Sequence, residues 1–415
     1  MVSPSPTFSA DQAASINKIL SDAVESGTTG AVFFGVTTTE GPIYLHATGP
    51  KSIDDPDSGD TDEDAVFWLC SQTKLIATIA ALQLIEHGKI ALDTPVETVL
   101  PELANPMVIT AYDEEGRPKD VVPARNKILF GQLLNHTSGL SYGLDGALPP
   151  TALGKVYSHS YKDGGVSTFF ELLKGSFPGV PIRFEPGTNF AYGFSTDCAG
   201  FVVERITGQS LEQYFQDHIA EPLGIKSMSF YLTPDLKNRL LPLLQRNSES
   251  GKVEKRNGPP PFDQDPAHVR VHLAGVGMYA SQKDYLTLLR HLLQIQSATA
   301  TNPLLSAASL NSMFEHTLPP AGVETLIKVV SSLDPDRAPE EGRQYGYGLL
   351  VNTVDGRNKR RAGSGAWGGW ASTSYFMDPI TGIAAVFGMQ VAPTDSAHER
   401  ILEVLEREVY QALSS

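Results

Sequence analysis

The segment WLCSQTKLIATIAAL, at residues 68–82, is the most informative part of the sequence. It opens with apolar residues, and Leu75, Ile79 and Leu82 then recur at the spacing of one helix face. This pattern predicts a mostly buried helix that begins at or near Ser71.

Ser71 and Lys74 lie one helical turn apart on the same face of this predicted helix. A serine hydroxyl is a weak nucleophile until a base takes its proton, and a lysine amine shielded from water can become that base. The free amides at the start of a helix point towards negative charge that develops on a substrate carbonyl. The Ser-x-x-Lys pattern therefore predicts an enzyme that forms an acyl intermediate on Ser71.

The same pattern occurs a second time, at Ser15 and Lys18. This copy lies inside an amphipathic predicted helix that begins with a capping box at Ser9–Gln12, and no apolar run precedes it. We interpret it as solvent-exposed surface, so the catalytic prediction is restricted to Ser71.

The composition limits the class of protein. The chain has 415 residues, of which 41% are hydrophobic and 19% charged, so it can bury a large core. A net charge of −15 argues against nucleic acid or an anionic membrane as a partner. The two cysteines, Cys70 and Cys198, suggest no disulfide framework, and the first residues resemble no secretory signal. We expect a cytoplasmic protein with no membrane span.

The order of the predicted elements favours an α+β fold. Strands are predicted near residues 31–38, 42–47, 347–354, 371–377 and 383–389, with a last helix at about 397–413. The simplest arrangement pairs the first and last strands in one antiparallel sheet of five or more strands, flanked by the two terminal helices. The active site would then lie between this sheet and a mostly helical lobe formed by the middle of the chain.

The predicted division of the chain follows from this layout. Residues 1–8 are a leader, residues 9–65 and 340–415 form the sheet lobe, and residues 66–339 form the helical lobe of one catalytic unit. Irregular or loop-forming segments are predicted at residues 104–127, 143–190 and 246–270, which are rich in charged, Gly, Pro or Ser residues.

The chain resembles the serine β-lactamase and penicillin-binding-protein superfamily from about residue 10 to its last residue, most strongly over 69–100, 133–142 and 185–208. It is most similar to the branch that contains class C β-lactamases, family VIII carboxylesterases and the fungal acyltransferases that attach a side chain to statin precursors. The resemblance implies a β-lactamase/transpeptidase-like fold that needs no cofactor. It also implies Ser71 as the nucleophile and Lys74 as its activating partner.

The second motif of this family, Tyr-x-Asn, corresponds to Tyr192-Gly193-Phe194, which keeps the tyrosine and lacks the asparagine. By resemblance, Tyr192 is the general base that takes the proton from Ser71, with help from Lys74, and returns it to the leaving alcohol.

The third motif is Lys-Thr-Gly on an edge strand, and it corresponds to Trp367-Gly368-Gly369, followed by Trp370. The resemblance implies that the backbone N–H of Trp370 completes an oxyanion hole with the N–H of Ser71. The glycines would allow a substrate to approach the backbone closely.

The two departures from the family motifs bear on the substrate. A tryptophan cannot bind a carboxylate as the lysine of the third motif does, and the missing asparagine of the second motif removes an amide contact to the substrate. Apolar acyl esters or thioesters are therefore expected rather than β-lactams, with water or an alcohol as acceptor and an acyl carrier as a candidate thioester donor. We expect substrate contacts from Gly368, Gly369 and an apolar wall of Tyr142, Phe194, Trp367 and Trp370.

Other functions remain open at this point: a dedicated secondary-metabolite acyltransferase with little hydrolysis, a β-lactamase or D-alanyl peptidase, and a non-catalytic binding protein of the same fold. Ser141 is a rival nucleophile, because residues 139–143 match the Gly-x-Ser-x-Gly elbow of α/β-hydrolases. That elbow needs a strand before it and a helix after it, and the sequence predicts neither.

The histidines do not predict a metal site. His268 and His272 have helical spacing, but no acidic neighbour completes a ligand set. His136 is predicted to be a structural histidine that forms hydrogen bonds within its turn.

Overall fold

The computed structural model describes residues 7–143, 164–257, 265, 267–333 and 342–414. Parts of the predicted leader and of the predicted loops at 143–190 and 246–270, together with the predicted lobe boundary at 339–340, lie outside these residues.

A seven-stranded antiparallel sheet joins the two ends of the chain, as predicted. Its strands follow the order β10-β11-β12-β13-β14-β1-β2. Their bounds are Val32–Thr37 (β1), Pro42–Thr48 (β2), Arg343–Tyr345 (β10), Leu350–Asn352 (β11), Gly365–Gly369 (β12), Thr373–Asp378 (β13) and Ile383–Gly388 (β14).

The remaining described strands lie outside this sheet. They are Val66–Trp68 (β3), Met107–Tyr112 (β4), Pro118–Pro123 (β5), Pro181–Ile182 (β6), Leu244–Arg246 (β7), Val253–Lys255 (β8) and Tyr279–Ser281 (β9). Strand β3 pairs with β9 and so ties the segment before Ser71 to the second half of the chain.

The described helices are α1 (Ala10–Glu25), α2 (Thr73–Glu86), α3 (Phe130–Leu134), α4 (Val166–Lys174), α5 (Ser195–Thr207), α6 (Leu211–Phe215), α7 (Glu221–Leu223), α8 (Pro234–Arg239), α9 (Gln282–Gln296), α10 (Ala307–Ser312), α11 (Pro320–Leu333) and α12 (Ser396–Ser414). Among these described helices, none has the length and apolar character that crossing a membrane requires.

The sheet is buried on both faces, because residues alternate between two hydrophobic clusters along each central strand. In β1, Phe34 contributes to the cluster that also contains Ile16 of α1 and Leu405 of α12. Its neighbour Phe33 contributes to the larger cluster on the opposite face, which includes Leu286 of α9. The terminal helices therefore cover one face, as predicted, and the helical region packs on the other.

Two local predictions were wrong. Residues 104–127 are not irregular, because β4 and β5 form an antiparallel hairpin in which β4 is mostly partly buried and β5 mostly exposed. The strand predicted at 347–354 is shorter and corresponds to β11 alone, and the unpredicted strand β10 precedes it and pairs with it across a turn that begins at Gly346. An added Cβ at Gly346 would lie only 1.8 Å from the carbonyl oxygen of Met313, so the backbone passes too close for any side chain there.

Candidate active site

The nucleophile candidate Ser71 lies on a 3₁₀ turn, Cys70–Gln72, between β3 and α2. Cys70 adopts φ = +47°, a left-handed conformation that is uncommon for a residue with a side chain. The thiol of Cys70 is buried, and Tyr285 donates a hydrogen bond of 2.9 Å to the carbonyl of Gln72. The turn is thus anchored on both sides of Ser71, whose side chain reaches the surface only slightly (9% exposed).

Lys74 is fully buried, and its amine bonds directly to the serine. Nζ donates hydrogen bonds to Ser71 Oγ at 3.1 Å and to the carbonyl of Gly275 at 2.7 Å. The backbone N–H of Gly275 in turn donates to the carboxylate of Asp197 at 2.8 Å. The buried amine therefore has two oxygen acceptors, and the same glycine connects it to a buried carboxylate.

Tyr192 lies next to this pair. Lys74 Nζ is 4.7 Å from the centroid of the Tyr192 ring. The hydroxyl of Tyr192 accepts a hydrogen bond of 2.9 Å from the indole N–H of Trp367. Within the described residues, its hydroxyl has no hydrogen bond to Ser71.

The backbone after Tyr192 passes against the loop at residues 138–142. An added Cβ at Gly193 would lie 2.1 Å from the carbonyl oxygen of Leu140, so only glycine fits there. The N–H of Tyr142 donates to the carbonyl of Tyr192 at 2.9 Å. Gly193 thus lets the two segments meet and fixes the backbone that carries Tyr192.

His136 packs on the other side of Tyr192, with its ring centroid 4.8 Å from that of the tyrosine. The sequence prediction of a hydrogen-bonding histidine was wrong for its ring, because neither ring nitrogen has a hydrogen-bond partner in the described part of the chain. Burial, together with the nearby charge of Lys74, holds the pKa of His136 well below its usual range. The imidazole is therefore neutral at pH 7.

Two further tyrosines, Tyr345 and Tyr375, lie close to Tyr192. Burial raises the pKa of both phenols, and Tyr192 adds a smaller effect in the same direction. Both therefore stay protonated at any physiological pH, and neither is a competing base.

The end of β12 lies against the Ser71 turn. Strand β11 pairs with Gly365 and Ala366 only, so within the described residues the segment 367–369 has a partner on the β13 side alone. Residues 367–369 therefore form an open edge of the sheet, although β12 as a whole lies between β11 and β13. An open edge leaves backbone groups available to a ligand.

Gly369 provides the close contact between β12 and this turn. An added Cβ there would lie 2.4 Å from the carbonyl oxygen of Leu69 and 3.0 Å from Cys70 Cβ. The backbone N–H groups of Ala371 and Trp370 lie beside the Cys70 thiol, whose pKa is raised by its burial. The backbone at Gly369 is thus approached closely by the backbone of Leu69, whereas the prediction concerned the approach of a substrate.

Replacing Gly369 with alanine is expected to push the end of β12 away from Ser71. A displacement of about 1 Å at this point should lower kcat for a p-nitrophenyl ester about 100-fold. Gly165→Ala is the matched control, because an added Cβ at Gly165 meets no atom within 4 Å. Equal kcat values for the two variants would contradict this role of Gly369.

The predicted apolar wall is only partly formed by the residues named for it. Tyr142 and Trp367 lie beside Tyr192, and the side chain of Trp370 is 42% exposed. Phe194 is 1% exposed and packs edge-on against Tyr142 at 4.7 Å, so it supports the wall from behind. The position of the family's asparagine is therefore filled by an aromatic packing contact.

A family model described as beta-lactamase matches residues 16–407 of the chain. The chain belongs to the beta-lactamase family. The lovastatin esterase of Penicillium rubens is 31% identical over 386 residues, which cover 90% of this chain and 92% of that protein. The monacolin J acid methylbutanoyltransferase of Aspergillus terreus is 30% identical over 361 residues, 82% of this chain and 81% of that protein.

A solved structure of simvastatin synthase (LovD) from Aspergillus terreus superposes on this beta-lactamase family member with a TM-score of 0.80. The match has 27% identity and covers 97% of this chain and 98% of that one. These relatives confirm the prediction of an ester-hydrolysing or acyl-transferring enzyme with a small-molecule acyl substrate.

The fold context does not support the rival nucleophile. Ser141 follows helix α3 and a segment without regular structure, whereas the hydrolase elbow requires a preceding strand. Its hydroxyl accepts a hydrogen bond from the N–H of Gly143 at 2.9 Å. The second Ser-x-x-Lys lies on the outside of α1, where Ser15 bonds to Glu408 and Lys18 to Asp22.

Sequence reasoning missed Asp197 and Gly275 as parts of this site. It included Trp367 but missed that its indole N–H donates a hydrogen bond to Tyr192. An aspartate at the start of the apolar helix α5 was the one available signal, since a buried carboxylate needs partners. His272, considered as a metal ligand, instead bonds to Glu204 and Tyr231. No cluster of potential metal ligands occurs among the residues that the structure describes.

Proposed function

We propose that this enzyme transfers acyl groups through a covalent intermediate on Ser71. The observation that carries the proposal is the hydrogen bond between the buried amine of Lys74 and Ser71 Oγ, with the phenol of Tyr192 beside it. A lysine without a task is rarely buried completely. Here it is held between the nucleophile and the carbonyl of Gly275.

In the first half-reaction, Tyr192 as phenolate takes the proton from Ser71 Oγ while Oγ attacks the ester carbonyl. The ammonium of Lys74 stabilises the negative charge that passes from the Tyr192 oxygen to Ser71 Oγ and the substrate carbonyl. The tetrahedral intermediate then expels the alcohol, which takes the proton from Tyr192. In the second half-reaction, water or an acceptor alcohol gives its proton to Tyr192 and attacks the acyl carbonyl, and Ser71 recovers its proton as it leaves.

The negative oxygen of both tetrahedral intermediates needs hydrogen-bond donors. We assign this role to the backbone N–H groups of Ser71 and Trp370, as the family resemblance implies. The contact between Gly369 and Leu69 supports the assignment, because it brings the end of β12 to the Ser71 turn. Removing one such donor typically costs about 100- to 1000-fold in kcat.

Apolar acyl esters or thioesters are the proposed substrates. Trp367 replaces the family's lysine at the third motif, and its uncharged indole cannot pair with the carboxylate of a β-lactam as that lysine does. Trp370 adds exposed aromatic surface next to it. An acyl-carrier donor and a cytoplasmic location remain predictions.

Transfer to a secondary-metabolite alcohol is the second candidate function. It is favoured by the similarity to the monacolin J acid methylbutanoyltransferase, which extends over 82% of this chain. Both functions use the same acyl-enzyme and differ only in whether water or an alcohol reaches it.

A series of p-nitrophenyl esters from acetyl to octanoyl, assayed with and without a competing alcohol, separates these outcomes. We expect release of p-nitrophenol, an acyl adduct on the peptide containing Ser71 by mass spectrometry, and a preference for the longer acyl chains. A new ester formed faster than free acid identifies a transferase. The absence of any adduct on Ser71 during turnover, or hydrolysis of nitrocefin with comparable kcat/KM, would contradict the proposal.

A further inference from the structure

Trp367 donates its indole N–H to the oxygen of Tyr192 at 2.9 Å. The two ring centroids are 5.1 Å apart, and the ring of Tyr345 stands perpendicular to the indole at 5.4 Å. The strand register places Trp367 opposite Tyr375 on β13. The indole is thus held from several sides while its N–H points at the proposed base.

An indole N–H is a donor only and cannot accept a proton or a hydrogen bond. The hydroxyl proton of Tyr192 therefore cannot point at Trp367 and is left to serve another acceptor, such as a reacting oxygen. When Tyr192 is a phenolate, the same N–H bonds to its negative oxygen, and such charge-assisted bonds are about twice as strong as neutral ones.

The other neighbours of Tyr192 do not duplicate this donor. His136 and Lys74 contact the ring of Tyr192 rather than its oxygen, at 4.8 Å between ring centroids and 4.7 Å from Nζ to the centroid. Among the described residues, Trp367 provides the hydrogen bond to the tyrosine oxygen.

We propose that Trp367 is a positioning residue: its indole N–H orients the oxygen of Tyr192 and stabilises the negative charge on it during both proton transfers. The inference rests on the proposed function, because it assumes that Tyr192 is the base. It differs from the role predicted from the sequence, in which Trp367 only lines the substrate wall. At the third motif, the tryptophan thus supplies a hydrogen-bond donor to the Tyr192 oxygen, and this donor carries no positive charge.

Two replacements separate the N–H from the shape of the ring. Trp367→Phe removes the donor and keeps an aromatic ring, and 3-benzothienylalanine keeps the bicyclic shape with sulfur in place of the N–H. We expect each to lower kcat about 10- to 100-fold, the effect of losing a hydrogen bond to a charged group, with KM unchanged within about 3-fold. The loss should be the same for short and long acyl chains.

A double-mutant cycle then tests whether the effect passes through the tyrosine. In a Tyr192→Phe background, Trp367→Phe should cause no further loss of kcat. A raised KM with unchanged kcat would show a substrate wall only, and full additivity of the two mutations would show that Trp367 acts elsewhere; either result overturns the inference and leaves the proposed function standing. Wild-type activity of Tyr192→Phe alone would overturn both.

Discussion

Replacing Ser71 with alanine is expected to lower kcat for p-nitrophenyl esters by at least about 10⁴-fold, the scale found when a catalytic nucleophile is removed. The remaining rate would come from binding and from the backbone amides alone. Folding should be preserved, because the hydroxyl contributes one hydrogen bond, from Lys74. The buried Cys70 side chain and the hydrogen bond from Tyr285 to the carbonyl of Gln72 still anchor the turn.

Two matched serines serve as controls for Ser71→Ala. Ser15 has the same Ser-x-x-Lys spacing but lies on the surface, where it bonds to Glu408. Ser141 occupies the rival Gly-x-Ser-x-Gly pattern. Ser15→Ala and Ser141→Ala should both keep kcat within about 3-fold of wild type, as substitutions away from a site usually do. An active Ser71→Ala enzyme, or an inactive Ser141→Ala enzyme, would refute the assignment of the nucleophile.

Replacing Tyr192 with phenylalanine is expected to lower kcat about 10²- to 10⁴-fold, the usual contribution of general acid–base catalysis. The ring stays in place between His136 and Lys74, so the loss isolates the hydroxyl. Because both half-reactions pass a proton through this oxygen, hydrolysis and transfer to an alcohol should fall by the same factor.

Tyr214→Phe is the control for this variant, because Tyr214 is also largely buried but packs beside His218 in a different part of the helical region. It should leave kcat unchanged. A Tyr192→Phe enzyme with a normal acyl adduct on Ser71 and a normal turnover rate would show that another group moves the proton.

Several features of the fold were accessible from the sequence because they depend on neighbouring residues. The capping box at Ser9–Gln12 forms as predicted, with hydrogen bonds of 3.2 and 2.8 Å between the two residues. The segments predicted as terminal strands pair in one sheet, since short apolar runs bounded by turn residues are typical of strands that are buried on both faces. The hairpin of β4 and β5 escaped prediction because the charged residues of β5 and of the turn between the strands outweighed the β-branched residues of the uncharged strand β4.

The candidate site also contains features that local sequence patterns predict and features that they do not. The spacing of Ser71 and Lys74 on one helical turn brings Nζ to within 3.1 Å of Oγ, a contact that helix geometry alone makes possible. The family resemblance, rather than any local pattern, pointed to Tyr192. The aromatic wall was predicted from residue type alone. In the structure Phe194 is buried behind Tyr142, so it does not form part of the wall's surface.

The sequence by itself determined that Ser71 and Lys74 lie together and that apolar strands form near both ends of the chain, because each feature depends on residues a few positions apart. Only the tertiary structure decided that the Trp367 indole reaches the Tyr192 oxygen, 175 positions away, and that Gly275 holds the Lys74 amine, 201 positions away. Such contacts depend on the register of β12 in the sheet and on how the helical region packs against it. No periodicity along the chain encodes that register, since it results from the combined packing of many distant segments.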